Sequence, residues 1–127
     1  MEIAFLVGRI LFGGFFLMNG INHFTQKSGL VAYASSRHLP MASLMVLISG
    51  ILLILAGLGV IFGVYIKESL AIIAGLLVLI SFSMHTFWND SNSQTRMSEM
   101  IGFMKNMALL GATLMMYSVA LPWVYSL

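Results

Sequence analysis

The chain has 127 residues, 60% hydrophobic and only 8% charged, with a net charge of +2 and a mean hydropathy of +0.99. Soluble domains carry about 25% charge, so this composition excludes one, and the few basic residues form no stripe able to track nucleic acid. There is no cysteine, which excludes disulfides, thiolate metal sites, Fe–S ligation and a persulfide carried on this chain.

The hydropathy predicts an all-α integral membrane protein with four spans forming one unit over residues 1–127. The first span runs from about Ile3 to His23 and the second from about Met41 to Tyr65. The third covers about Ser69 to Trp88 and the fourth about Met100 to Leu121. Each has the roughly 20 residues that a helix needs to cross about 30 Å of hydrocarbon. The runs are continuously apolar rather than alternating, which excludes a β-barrel. The first run reads as a retained span: Glu2 replaces a basic start, Arg9 interrupts it, and no small-x-small cleavage site follows.

The connections differ in character. Ile66-Lys67-Glu68 reads as a tight joint that makes spans two and three antiparallel neighbours. Between Phe24 and Pro40, Ser28 is placed to cap a short interfacial helix carrying Leu30, Val31, Tyr33 and Ala34. Asn89 to Ser98 reads as a solvated loop. Tyr65, Trp88, Trp123 and Tyr125 fall at span ends, where amphipathic rings favour the headgroup level. Three small-x-x-x-small pairs, Gly59/Gly63, Ala71/Gly75 and Ala108/Ala112, mark expected helix contacts, as do Gly50 and Gly57, seven apart on one face.

Four spans put both termini on one side. Lys67 lies on that side with Arg9 nearest to it, while Lys27, Arg37, Arg96 and Lys105 lie on or near the other. The excess places the longer loops in the cytoplasm and the termini outside.

Topology then gathers the polar residues. His23 and His85 end spans that run toward the loop side, and Glu99, Lys105 and Asn106 begin the span that leaves it. All share one leaflet. Polar side chains in lipid are costly and mark function by default. Helix spacing adds stripes: Arg9, Gly13, Phe16, Gly20 and His23 on span one; Val78, Ser81, His85 and Trp88 on span three; Glu99, Gly102 and Asn106 on span four. Asn19, Asn22 and His23 form a patch, and Lys105 needs a partner from another helix.

Such a set suits a lipophilic quinone, whose carbonyls need hydrogen bonds and whose reduction needs protons. His85 and Lys105 are the candidate catalytic groups; His23, His85, Asn106 and Arg9 are the candidate cofactor-binding groups. The two histidines also suit axial ligation of a haem, the less favoured cofactor. No zinc site is expected, because His38 lies outside the spans and no carboxylate or cysteine spacing completes one. With no flavin or nicotinamide fingerprint, electrons must come from another subunit. A non-catalytic structural subunit is the competing reading. A channel is disfavoured, because Arg9 and the loop-side cluster lie in opposite leaflets without a polar path between them.

The residues also carry a family resemblance. It lies in the run from Arg9 to Phe24, in Tyr33-Ala34 with Leu39-Pro40, in Met84-His85-Thr86-Phe87-Trp88, and in the run from Phe103 to Gly111. In these blocks the chain resembles the DoxX family of small four-span membrane proteins. The resemblance implies a prokaryotic cell-membrane oxidoreductase subunit, since the family takes its name from a small subunit of a thiosulfate:quinone oxidoreductase. It carries over to Arg9, His23, His85, Lys105 and Asn106.

Overall fold

The computed structural model describes residues 2–127. The described residues form helices α1 (Glu2–Thr25), α2 (Lys27–Ser36), α3 (Ala42–Phe62), α4 (Ile66–Ser83) and α5 (Ser93–Tyr117), with a 3-10 turn at Phe87–Asn89 before α5. Helices α1, α3, α5 and the α4 segment continued through the 3-10 turn are each long and apolar enough to cross a membrane. The architecture is therefore all-α, with spans α1, α3, α4 and α5 and a short helix, α2, on the loop side.

Helix α1 packs on α3, α3 on α4, and α4 on α5. No Cα atom of α1 lies within 8 Å of one in α4 or α5. The four spans thus form a bundle that is open along one side, between α1 and α5. A small-residue seam holds α1 to α3. A Cβ added at Gly13 would lie 2.8 Å from the Gly57 carbonyl oxygen, and one at Gly20 would lie 2.8 Å from that of Gly50. The absent side chains let the two backbones approach, as close helix packing in lipid requires. The Gly50/Gly57 spacing therefore marks a true contact. The four-residue pairs do not behave alike: Gly59 faces Ser69, but Gly75 has open space around it and Ala108 is exposed.

Several boundaries differ from the sequence reading. The joint between α3 and α4 is Gly63-Val64-Tyr65, not Ile66-Lys67-Glu68. Gly63 adopts φ 70°, a left-handed conformation that glycine takes without a Cβ penalty, and Val64 N–H donates to Gly59 O at 3.0 Å. Ser28 caps nothing. Gln26 is the N-cap of α2 and offers no side-chain bond. Helix α5 begins at Ser93, inside the expected loop, because the Asn92 side chain accepts from Thr95 N at 3.0 Å. It ends at Tyr117 rather than Leu121. The Lys67 ammonium donates to the Tyr117 carbonyl, and Pro122 cannot supply a helix donor.

Helix α4 stops at Ser83, so His85 lies in irregular chain and the stripe through Val78, Ser81, His85 and Trp88 does not exist as one helix face. The cause lies at the C-cap of α2, where Arg37 Nε donates to the Met84 carbonyl at 2.8 Å.

Trp123 is not at the headgroup level. It is 3% exposed and meets Phe5 edge to face at 5.2 Å. The segment after α5 folds back over this end of the bundle, where Leu127 N–H donates to Phe62 O.

Candidate functional site

Arg9, Gly13, Phe16 and Gly20 are the buried residues of α1, as the stripe predicts. Arg9 is 1% exposed. Its guanidinium donates to the carbonyls of Val60 (3.3 Å), Ile61 (3.0 Å) and Val124. It also lies over the Trp123 ring, 5.6 Å from its centroid. Arg9 thus closes the end of α3, whose last carbonyls lack helical partners. It does not line the cavity that gathers the other candidates.

That cavity, about 460 Å³, lies toward the loop side of the open bundle. Its volume is within the range of small-molecule sites. Aliphatic side chains of α3 and α4, such as Leu52, Leu53 and Leu76, make most of its wall. His23, Tyr33, His85, Lys105 and Asn106 supply polar atoms, together with Asn19 and with Ser49 and Ser83, whose hydroxyls donate to carbonyls of their own helices. The structure therefore brings His23, His85, Lys105 and Asn106 together and leaves Arg9 apart. The expected site between spans one, three and four also takes in α2 and the second span, here α3.

Each polar group is held by its local chain. The His23 ring Nδ1 lies 2.6 Å from Asn19 O, four residues earlier. A carbonyl only accepts, so Nδ1 carries the proton. Gly50 makes room for this histidine: a Cβ there would be 2.7 Å from His23 Cβ. His85 lies flat on α5 at Gly102, where a Cβ would meet its Nδ1 at 2.8 Å. Asn106 is buried and makes no side-chain hydrogen bond among the described residues. Lys105 finds its cross-helix partner in an aromatic face, with Nζ 5.4 Å from the Phe15 ring centroid on α1. The pair spans the open side of the bundle.

Behind His85 stands a network that the sequence reading missed in part. Glu99, 8% exposed, sits on α5 and faces His85 Nδ1 at 3.4 Å through Oε1. Its Oε2 accepts from Tyr33 OH at 2.5 Å and lies 3.3 Å from Arg37 Nη2. Arg37 continues to Asp90 at 2.9 Å and to Thr86 at 2.9 Å. The hydrogen bond to Asp90 holds the Arg37 guanidinium above its ordinary pKa. Burial, reinforced by the bond to Glu99, pushes the Tyr33 phenol well above its usual range. The sequence places Tyr33 on a short interfacial helix and Arg37 among the basic residues that set orientation. The signal available was their position in a short helix that a proline stops beside the polar leaflet.

The DoxX family profile matches residues 4–86, about two thirds of the chain. The chain belongs to the DoxX family. The match covers α1 to α4, with Arg9, His23 and His85, and ends before α5. The resemblance of the Phe103 to Gly111 run, with Lys105 and Asn106, therefore lies outside the matched stretch. No curated protein and no solved structure matches the chain. Family and architecture together make this an integral membrane protein.

Proposed function

We propose that this DoxX protein is a quinone-interacting subunit of a membrane oxidoreductase, with the head group seated in the loop-side cavity. The observation that carries the reading is the division of that cavity: an aliphatic body with His23, His85, Lys105 and Asn106 at its polar part. A lipophilic ring bearing two oxygens has the same division. The side between α1 and α5, where no Cα atoms approach within 8 Å and only side chains such as Lys105 and Phe15 reach across, gives such a molecule a lateral path from the bilayer. His85 and His23 bind the head group and relay protons. Lys105 stabilises negative charge developing on an oxygen, and Asn106 fixes the ring's orientation. Electrons come from a partner subunit. In this reading the site faces the cytoplasmic leaflet, the orientation that the basic loops favour, in the prokaryotic cell membrane that the family resemblance implies.

Titration of the purified protein in nanodiscs with a decyl-benzoquinone tests the proposal. Saturable binding is expected that weakens at least about tenfold in Lys105→Ala, which loses a hydrogen bond to a ring oxygen, and His85→Ala is expected to weaken binding of the reduced, quinol form by as much. Unchanged affinity in both variants would refute it.

One observation favours the second reading, a structural subunit. The outer face of α1 carries a shallow groove lined by Ile10, Leu11, Gly14, Phe15 and Met18, with nothing near the Gly14 Cβ position. Small residues on a lipid-facing helix admit another helix. A chain that copurifies with a partner through this groove, yet takes up no quinone, would support that reading instead.

A further inference from the structure

Resting on the reading of the cavity as a quinone site, we infer that it is built to hold the reduced form, the quinol, in preference to the quinone. Two imidazoles line the cavity. His23 Nδ1 faces a backbone carbonyl, which only accepts. His85 Nδ1 faces Glu99 Oε1 at 3.4 Å, and the other oxygen of that carboxylate accepts the Tyr33 hydroxyl and lies 3.3 Å from Arg37 Nη2. In both rings the proton is therefore drawn to Nδ1. Neither Nε2 has a protein partner among the described residues. Each neutral ring keeps a lone pair at Nε2 for a ligand.

A quinone offers only acceptors and meets those lone pairs without a bond. A quinol offers two O–H donors to them, and its oxygens still accept from Asn106 and Lys105. Glu99 is thus a positioning residue that sets the His85 tautomer from outside the cavity, a role that carboxylates often play behind a functional histidine.

The charged and titratable groups around His85 are Glu99 and Lys105 on α5, Tyr33 and Arg37 on α2, and Asp90 beyond the 3-10 turn. Around His23, the neighbouring α3 surface is Gly50, and the nearest cation lining the same cavity is Lys105.

Glu99→Gln tests this role. Arg37 only donates, so the new amide must turn its oxygen toward Arg37 and its NH₂ toward His85. That reverses the His85 tautomer and presents an N–H to the ligand.

The experiment measures affinities for a decyl-benzoquinol, kept reduced under argon, and for its quinone, in nanodiscs. Wild type is expected to bind the quinol at least about tenfold more tightly at about pH 8. Glu99→Gln is expected to lower the ratio at least about threefold at pH 8 while still binding the quinone. Equal or tighter quinone binding by wild type at pH 8 overturns the inference and leaves the quinone site standing. Absence of binding by either form overturns the quinone site itself.

Discussion

The two ends of this bundle both bury polar side chains, and they treat them in opposite ways. At the terminal end, Arg9 is enclosed and donates to the carbonyls of Val60, Ile61 and Val124, while the buried Trp123 Nε1 beside it lacks a partner but lines neither cavity. At the loop end, the cavity contains Asn106 with no side-chain partner and two imidazoles with only Nδ1 engaged. A buried polar group that is fully bonded is structural cement. One with free capacity facing a cavity is available to a ligand. A polar residue in a membrane span is a reason to look for function, but the state of its hydrogen bonds decides which kind it serves.

The largest expected effect comes from breaking the terminal end. Arg9→Met leaves three carbonyls without their donor in a buried setting, and at about 1–3 kcal/mol for each such loss the bundle should lose roughly 3 kcal/mol or more. Thermal unfolding in mild detergent measures it. A variant as stable as wild type would show that Arg9 does not cap α3.

Next comes the seam that both ends share. Gly20→Leu drives a Cβ to 2.8 Å from the Gly50 carbonyl and the Ile54 backbone nitrogen, so the helices must separate. Overpacking of this kind costs about 1–3 kcal/mol. The same substitution at Gly75, which has open space, should leave stability within about 0.5 kcal/mol.

The loop end should respond weakly in stability. His85→Ala removes a 3.4 Å contact with Glu99 and fills no structural role at α3, so a change below about 1 kcal/mol is expected. Its effect falls on ligand affinity instead.

The smallest effect is a slope. Folding raises the Tyr33 pKa above its ordinary value of 10.0. The folded state then holds a proton that the unfolded state releases above that pH. This contribution is present below pH 10 and declines as the pH rises past it. Tyr33→Phe should flatten that part of the alkaline stability curve. An unaltered slope would show that the phenol is not bound to Glu99.

Much of this was legible in the sequence because lipid enforces it. Four long apolar runs leave little choice of architecture, and span direction alone put His23, His85, Glu99, Lys105 and Asn106 on one side. The buried stripe of Arg9, Gly13, Phe16 and Gly20 followed from helix spacing.

Composition misled where one capping bond or a tertiary contact outweighs it. The Asn/Ser-rich run before Glu99 became helix because Asn92 caps it. Trp123 became core because the segment after α5 folds back onto Phe5 and Arg9. His85 left its helix because Arg37, some 50 residues earlier, claims the Met84 carbonyl. Such contacts depend on which elements meet, and no local pattern encodes them. Arg9 shows the same limit in reverse, since its residue type announces a polar site but only its three carbonyl partners identify it as a cap.

The most direct test of the difference between the ends is to locate a ligand. A photoreactive benzoquinone with a decyl chain, irradiated with the protein in nanodiscs and mapped by peptide mass spectrometry, reports where the ring resides. Competable labelling confined to the α1 stretch around Phe15 to His23, the chain around His85 and the α5 stretch at Lys105 and Asn106 is expected, with none near Arg9. Labelling spread evenly over the lipid-facing surface, or labelling that excess unlabelled quinone does not suppress, would contradict the assignment of the loop-side cavity as a ligand site.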